Sequence, residues 1–453
     1  MQQFARYEQL FKRPMVVLLN LRGKYAGLRV KSVEGSGMYQ EGTLENLDGP
    51  WHGVAMQNST SVPMEPSTQF CPNLVCSARG QIGQGNIRFH DRKRRRYRCR
   101  LCGHTFSHRR GTMMEGLRKP AELIVVVITL LTYGCPIQAI VHAYELDERT
   151  VSSWRDRAGR HCQKLHQAVV EQAGLDLLHV QADEIRVKGR RLTVWMGLAM
   201  MVSTRLWLGG VVSLTRDTRL ADRLLAQVRR CAQAVRPLLI CTDGWAAYPG
   251  SIRRTFREKV KRTIGRGRTT LVAWPDLLIA TVIKHTKNKR VVEITRRMAQ
   301  GTLQRAEALL AQSQGRSVLN TAFIERLNAT FRERLATLTR RCRHAAHRVE
   351  ALETGMYLIG CVYNFCVVHD ELSSFRHLGS PTTPAMATGL TTWVWSVNDV
   401  LTFRVVPTPW VAPKRRGRPP KAQTAVHKRF STRALHLRPL LRLRKGALRV
   451  VTG

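Results

Sequence analysis

The chain has 453 residues, of which 43% are hydrophobic, so it is long enough for two or three domains and apolar enough to exclude global disorder. It carries 74 Lys and Arg against 31 Asp and Glu, a formal charge of +43. A compact protein with that charge would repel itself unless a polyanion is its usual partner, and nucleic acid is the simplest candidate. The longest apolar run, residues 123–131, is too short to span a bilayer.

The beginning of the chain and its cysteines bear on the cellular compartment. The first residues lack the layout of a secretory signal peptide, so we expect a cytosolic protein. In that compartment the 11 Cys are not expected to form disulfides, which leaves metal binding or burial. Residues 1–65 include the polar, Gly-rich stretch VEGSGMYQEGTLENLDGP, which predicts loops or weak structure in a region of unknown role.

An Arg-dense segment at residues 66–110 predicts a zinc ribbon. Two Cys pairs, in CPNLVC and CRLC, are separated by 22 residues. Two short Cys hairpins that face each other offer Zn²⁺ four thiolates in a tetrahedron. The first pair has the wider spacing, so a site completed by His90 or His104, or simple burial, stays open. The predicted ligands of a structural Zn²⁺ are Cys71, Cys76, Cys99 and Cys102.

Residues 111–175 predict a helical DNA-binding domain. After Pro136 the apolar spacing indicates one helix, ELDE a tight connection, and an Arg-rich segment from Thr150 a second helix. In a helix-turn-helix the second helix places its N-terminal residues in the major groove, and flanking Arg residues bind phosphates. An ordinary helical hairpin is the alternative. The candidate groove residues are Glu148, Arg149, Ser152 and Arg155.

From residue 176 the pattern changes to apolar β-type runs, an amphipathic helix and another buried strand, which predicts an α/β core at residues 176–340. Acids are scarce, and two of them end such strands, Asp183 after LLHVQA and Asp243 after LLICT. On adjacent strand ends these carboxylates would lie close together, which is costly unless a cation neutralises them. Two Mg²⁺ or Mn²⁺ ions suit such oxygen ligands and can activate phosphodiester chemistry.

The stretch NTAFIERLNATFRERLATLTRR can supply a third carboxylate. On a helix over residues 322–340, the apolar side chains fall in an arc about 120° wide, and Glu325, Asn328 and Arg332 share a separate polar face. The helix dipole favours an acid in the first turn. Taken alone, Glu325 is therefore more simply explained as a helix-end acid with local Arg partners. Asn328 and Arg332 are candidate contacts to DNA phosphates.

The end of the sequence divides into a predicted helical region, residues 341–400, and a basic tail, residues 401–453. The tail contains KRRGRPPK, in which Arg-Gly-Arg-Pro is the core of an AT-hook. Such an extended peptide lies in the narrow minor groove of A·T-rich DNA, where Arg416 and Arg418 would reach the groove floor. A basic, solvated linker is the alternative.

Together these residues resemble bacterial insertion-sequence transposases of the DDE superfamily, and the closest type is the family of insertion sequence one with its longer relatives. The resemblance covers about residues 68–372 and is carried by Asp183 with Glu184, TDGWAAY around Asp243, and FIERLNATFRERLATLTRR around Glu325. It implies an RNase H-like catalytic core whose DDE triad, Asp183, Asp243 and Glu325, holds two divalent ions. It also implies cleavage at the element's ends and strand transfer into target DNA.

The sequence departs from this family in one place that bears on the core. Between Asp243 and Glu325 lie 81 residues, whereas compact members have a much shorter interval, so residues 257–316 are predicted to be an insertion. The expected fold is α/β: an RNase H-like core preceded by a zinc ribbon and a helix-turn-helix domain, and followed by a helical region and a basic tail.

The expected function is that of a DNA transposase, acting on double-stranded DNA as a homo-oligomer in the bacterial cytoplasm, at the nucleoid, with no membrane partner. One alternative is a DNA-binding regulator made of the zinc ribbon and helix-turn-helix, with an inactive core. Another is a non-enzymatic structural protein that binds polyanions. The three acids favour the transposase, because a regulator has no need of them in this arrangement.

Overall fold

The structure is a computed structural model that describes residues 65–188, 193–233, 236–260, 269–288, 290–314, 318–338, 348–376 and 379–412. All bounds and contacts given below refer to these residues. Apart from Glu65, the predicted N-terminal region lies outside them, and so does the AT-hook-like segment with Arg416 and Arg418.

A small antiparallel sheet follows a single 3-10 turn at Pro66–Thr68. Its strands, in spatial order, are β1, Ile87–Asp91, β2, Arg96–Cys99, and β3, Thr105–Ser107. Tyr97 of β2 is fully buried, and its ring stacks on Phe89 at 5.3 Å and on Phe106 at 5.9 Å. These rings and the neighbouring Cys form a small apolar core of their own, so the segment predicted as a ribbon does contain β-strands.

Three helices come next: α1, Ala121–Thr132, α2, Ile137–Tyr144, and α3, Glu148–Val169. The chain leaves α2 through Glu145, whose φ of 50° is left-handed. Asp147 then caps α3 by accepting hydrogen bonds from the N–H groups of Arg149 and Thr150. These two local signals produce the tight connection that was predicted from ELDE. Helix α3 extends over 22 residues, which is long enough to reach from the turn into the centre of the fold.

Eight further strands follow among the described residues: β4, His179–Lys188, β5, Thr193–Met201, β6, Trp207–Ser213, β7, Leu238–Thr242, β8, Arg257–Val260, β9, Thr270–Ala273, β10, Leu277–Lys287, and β11, Arg290–Gln300. Strands β8 and β9 pair with each other, and the other six form one mixed sheet in the order β11-β10-β7-β4-β5-β6. The central strand β7 pairs in parallel with β4 and β10. Its five residues are all buried, which is typical of a strand covered on both faces.

Part of the segment predicted as an insertion, residues 257–316, belongs to this sheet: strands β10 and β11 lie in it, whereas β8 and β9 pair only with each other. Strand β10 lies directly beside β7 and carries β11 on its other side. Residues 277–280 at the start of β10 are buried. The interval length alone suggested an insertion, but apolar residues on both faces of a short run mark a central strand, and the fold places β10 accordingly.

Five longer helices cover the sheet: α4, Thr218–Cys231, α5, Ala247–Thr255, α6, Leu303–Gln314, α7, Ala322–Arg334, and α8, Val349–Cys366. Three short ones follow: α9, Asp370–Arg376, α10, Pro384–Ala387, and α11, Val397–Thr402. Consecutive residues of β4 face opposite sides of the sheet. Asp183 contacts α7 through Asn328, and Glu184 contacts α5 through Tyr248.

One apolar core joins the predicted helix-turn-helix region to the sheet. It runs from Met113 through α1, α3, the sheet, α7 and α8 to Leu401, so residues 111–175 pack together with the α/β core. The segment Val349–Ser373 is long and apolar enough to cross a membrane by length and composition, but 72% of its apolar window is buried inside the fold. Burial against α3 and β6 therefore accounts for its composition.

A glycine contact between α3 and α8 gives a stability prediction. A Cβ on Gly159 would lie 2.2 Å from the carbonyl oxygen of Thr354, a backbone atom that cannot move away without shifting α8. We expect Gly159→Ala to lower the free energy of unfolding by about 1–3 kcal/mol, measured by chemical denaturation.

The matched control is Gly250→Ala in helix α5. There the nearest heavy atom to the added Cβ is the end of the Arg254 side chain, at 3.3 Å, which can rotate away. Because alanine favours a helix over glycine by about 0.5–1 kcal/mol, this change should leave stability equal or higher. Equal losses in the two variants would contradict the close approach of α3 and α8.

Candidate functional site

The four cysteines of the small sheet lie together. Their Sγ atoms are all within 4.8 Å of one another, with 3.6 Å between Cys71 and Cys102 and 3.9 Å between Cys76 and Cys99. Four thiolates about 2.3 Å from a tetrahedral Zn²⁺ would be separated by about 3.8 Å. The cluster therefore fits a zinc ion, and it includes neither His90 nor His104.

A backbone hydrogen bond closes the chain around each Cys pair and supports this arrangement. The N–H of Gly80 donates to the carbonyl of Cys71 at 3.1 Å, and that of Gly103 donates to the carbonyl of Cys99 at 3.0 Å. Both glycines have a φ near 70°, a left-handed conformation that residues with a Cβ rarely adopt. The wider spacing of the first pair thus does not keep its Sγ atoms from the second pair.

Loss of one of these thiols should abolish zinc binding. We expect the purified protein to hold one zinc per chain by elemental analysis, and Cys99→Ser to lose it together with the stability that the ion gives to the small sheet. Cys135→Ser is the control, because Cys135 is half-buried and outside the cluster. Unchanged zinc content in Cys99→Ser would contradict the assignment.

The second group of acids arises from the parallel pairing of β4 with β7. The last pair in register is Ala182 with Thr242, so the next residues along the two strands are Asp183 and Asp243. Carboxylate oxygens of these two residues and of Glu184 all lie within 4.8 Å of one another. The structure thereby brings together the two strand-end acids selected from the sequence.

Glu184 belongs to this cluster although the sequence analysis assigned it no role. Its side chain is only 2% exposed, and it accepts a hydrogen bond of 2.9 Å from the hydroxyl of Tyr248. Burial, followed by the charge of Asp243, raises the pKa of Glu184 to about 7. An acid inside an otherwise apolar strand was the signal in the sequence, because such a position is costly unless the carboxylate is paired.

One arginine holds the cluster from the side of α4 and α5. The guanidinium of Arg216 is ion-paired with Glu184, and lies 3.3 Å from Oδ2 of Asp243. It also lies over two rings, 5.1 Å from the centroid of Trp195 and 4.6 Å from that of Trp245. Stacking between aromatic faces adds cation–π attraction, so Arg216 is a positioned countercharge for two of the three acids.

Asp183 is held from the opposite face of the sheet. It accepts hydrogen bonds of 2.8 Å from the side-chain amide of Asn328 and from the N–H of Glu184. Burial raises its pKa to about 6, and the charges of Asp243 and Glu325 act in the same direction, against the N–H bond and the nearby Arg332. Asn328, predicted to contact DNA phosphates, is instead buried against this carboxylate, because it lies on the inner side of α7.

Glu325 lies beside this cluster but outside the three acids that meet within 4.8 Å. Its exposed carboxylate is ion-paired with Lys284 of β10 and accepts a hydrogen bond of 2.7 Å from Thr321. The partner is thus a lysine from the neighbouring hairpin, not Arg326. Helix α7 ends at Arg334 instead of continuing to residue 340. Five residues of the expected apolar arc are nevertheless buried, Ile324, Leu327, Phe331, Leu335 and Leu338, and the sixth, Phe323, is half-buried.

The predicted groove residues of α3 have different environments. Arg149 is exposed. Glu148, Ser152 and Arg155 line a cavity of about 310 Å³ whose other walls come from the end of α1, the start of α2, the turn after α7, and α8. Arg155 is bound to Asp156 at 2.8 Å. Of the four candidates, Ser152 and Arg155 are half-buried, whereas Arg149 and Glu148 are exposed, and the Glu148 carboxylate accepts a hydrogen bond of 2.8 Å from Gln138.

The raised pKa of Glu184 predicts how stability changes with pH when no divalent ion is added. The folded chain keeps a proton on Glu184 up to about pH 7, whereas the unfolded chain releases it near the ordinary value of 4.5. Between these values the unfolded state binds fewer protons, so the free energy of unfolding falls as pH rises. In thermal unfolding, the wild type should lose stability across this window relative to Glu184→Gln. Parallel curves of stability against pH for the wild type and Glu184→Gln would contradict the raised pKa of Glu184.

Comparisons with known proteins give little beyond this geometry. No protein-family model matches the sequence, and no curated protein matches it. One similar solved structure is described as "Cryo-EM structure of piggyBac transposase synaptic complex with hairpin DNA (SNHP)". It is 10% identical with a TM-score of 0.34, and the similarity covers 67% of this chain and 79% of that one. A similarity of this size carries no functional argument, so function must be inferred from the site.

Proposed function

We propose that this protein is a DNA transposase of the DDE type. The observation that carries the proposal is the meeting of Asp183 and Asp243 at the ends of two adjacent parallel strands, with Glu325 on a helix beside them. Parallel strands open their ligand-binding edge at their carboxyl ends. A mixed sheet with helices on both faces and acids at this edge supports an RNase H-like core.

The carboxylates suit divalent ions. Oxygens that share one Mg²⁺ at about 2.1 Å lie up to about 4.2 Å apart, and the cluster's upper limit of 4.8 Å is close to that reach. Asp183 and Asp243 would hold two Mg²⁺ or Mn²⁺ ions, with Glu325 completing one of them. When bound, such ions activate an attacking water or 3′-hydroxyl and stabilise the leaving oxygen.

The protein's own side chains prepare this site. Asn328 fixes the carboxylate of Asp183 through its amide. Arg216 compensates Asp243 and the buried Glu184, which lowers the repulsion among three adjacent acids. Glu325 is neutralised by Lys284, so its carboxylate joins the other two only when that ion pair opens. Arg332 lies near enough to lower the pKa of Asp183 and is a candidate contact for a substrate phosphate.

The N-terminal parts of the chain would bring DNA to the core. The zinc-ribbon fold and the exposed Arg149 suit phosphate contacts, and the AT-hook-like segment would add A·T-biased tethering. We expect a homo-oligomer that pairs two element ends in the bacterial cytoplasm, cleaves them by hydrolysis and joins their 3′-hydroxyl groups to target DNA.

A DNA-binding regulator with an inactive core is the second candidate. The observation in its favour is that Glu184, Asp243 and Glu325 already have cationic partners within the protein, Arg216 and Lys284. An acidic cluster that is neutralised in this way needs no divalent ion for stability. Such a regulator would bind the same DNA without cutting it.

Cleavage of end DNA separates the two candidates. The substrate is a labelled duplex that carries the sequences flanking the reading frame, incubated with Mg²⁺ or with EDTA. The wild type should produce nicks with 3′-hydroxyl ends and then strand-transfer products, only with the ion. Asp243→Asn should reduce this activity by at least about 100-fold, because a proposed ligand of the divalent ions is lost.

The control is Asp222→Asn, which changes an acid of α4 that is paired with Arg254 and lies outside the cluster. It should cleave like the wild type. Full activity in Asp243→Asn would sink the proposed triad. Specific binding of end DNA without any cleavage by the wild type would favour the regulator.

A further inference from the structure

A two-stranded arm stands beside the carboxylates. Strand β10 pairs with β7 only as far as Thr281, which lies opposite Thr242. It continues for the six residues to Lys287, a length of about 20 Å, paired there with β11 alone. Because β10 and β7 are parallel, this extension leaves the sheet at the same edge as Asp183 and Asp243. We call the described residues of this extension, 284–288 and 290–297, the arm.

The surface of the arm is basic and is not packed against the rest of the fold. The described residues of the arm include five Lys or Arg and one Glu. Residues 284–287 of β10 and 290–294 of β11 are all exposed, so both faces of the outer half meet solvent. Val291 and Val292 are 51% and 62% exposed. A two-stranded ribbon without a covering layer is marginally stable alone, which favours a surface completed by a partner.

The base of the arm is fixed to the elements around the site. Lys284 is ion-paired with Glu325 of α7. The guanidinium of Arg296 donates to the carbonyl of Leu319, just before α7, at 2.9 Å. The arm is therefore anchored to the segment that carries the third acid, and a ligand lying along it would be directed toward the carboxylates.

We propose that the arm binds a groove of the double-stranded DNA that flanks the cleaved phosphodiester. The major groove, about 12 Å wide, admits a two-stranded β-ribbon. Lys287 and Arg290 at the exposed end would contact phosphates, and the exposed valines would meet apolar base edges such as the thymine methyl. The inference rests on the proposed function for the identity of the ligand, and it adds where that ligand lies.

A phosphate at the base of the arm would also act on the ion pair that holds Glu325. Lys284 lies at the base of the arm and pairs with Glu325, so a phosphate that attracts its ammonium group competes with the Glu325 carboxylate. DNA bound to the arm would therefore favour opening of the Lys284–Glu325 ion pair, so that Glu325 can complete the site when substrate is present.

The first test measures binding of a labelled 40-base-pair duplex by fluorescence anisotropy at several salt concentrations. Lys287→Gln with Arg290→Gln should weaken binding by roughly tenfold per lost phosphate contact at about 0.1 M salt and reduce the salt slope by about two. The control is Arg253→Gln with Arg305→Gln. Arg253 contacts Gln300, and Arg305 pairs with Asp276, both where β10 begins, at the opposite edge of the sheet. The control should keep the wild-type slope.

The second test does not depend on affinity. A photoreactive amino acid at Val292 should crosslink to the duplex, with the crosslinked position next to the cleavage site. The same residue at Leu303, which is 51% exposed at the start of α6, should crosslink at background level. Equal crosslinking at the two positions together with an unchanged salt slope would overturn the arm's role.

The cleavage, binding and crosslinking experiments together distinguish failure of the arm proposal from failure of the proposed function. If the wild type cleaves with Mg²⁺ but the arm variants bind and crosslink like the control, the arm proposal fails and the transposase proposal stands. If no protein cleaves but the arm crosslinks and the salt slope falls, the arm is a DNA-binding surface and the transposase proposal fails.

Discussion

The parallel pairing of β4 with β7 is the constraint on which the site depends. It brings Asp183 and Asp243 to one edge of the sheet, with Glu184 beside them. Three carboxylates at such distances repel each other and resist ionisation in a buried place. The surrounding structure offsets this repulsion. Arg216 pairs with Glu184 and Asp243 on one face of the sheet, and the amide of Asn328 donates to Asp183 on the other.

The two cations that pair with these acids, Arg216 and Lys284, are held by different surroundings. Arg216 is held by two tryptophan rings as well as by the acids, so it is fixed where it neutralises Asp243. Lys284, in contrast, belongs to a hairpin whose outer half is exposed on both faces. Their side chains are about equally exposed, 33% for Arg216 and 35% for Lys284, so what distinguishes them is the pair of rings that holds Arg216. If a substrate phosphate displaces Lys284, as proposed, Glu325 is released while Asp243 keeps its countercharge.

The helices that cover the sheet also pack closely against one another. Helix α8 lies against α3 and β6, and small residues let the backbones approach, as Gly159 does at Thr354. The same core extends from the predicted helix-turn-helix region into the sheet. DNA held by α3 and DNA at the carboxylates would therefore be bound to one continuous body, and the cavity lined by Arg155 lies between α3 and α8 of that body.

The sequence by itself determined what local patterns encode: the paired Cys, the capped turn at Asp147, the apolar strands that end in Asp183 and Asp243, and the buried arc of α7. Tertiary structure decided what depends on residues distant in the chain. The pairing of β10 with β7 made a core strand of one part of the predicted insertion, because hydrogen bonding between strands is not determined by either strand alone. Burial turned Asn328 toward Asp183, Arg155 came to line a cavity beside α8, and the path of the hairpin paired Lys284 with Glu325. Asn328 and Glu325 took partners that are distant in the chain, and only the fold determines which partner is nearest.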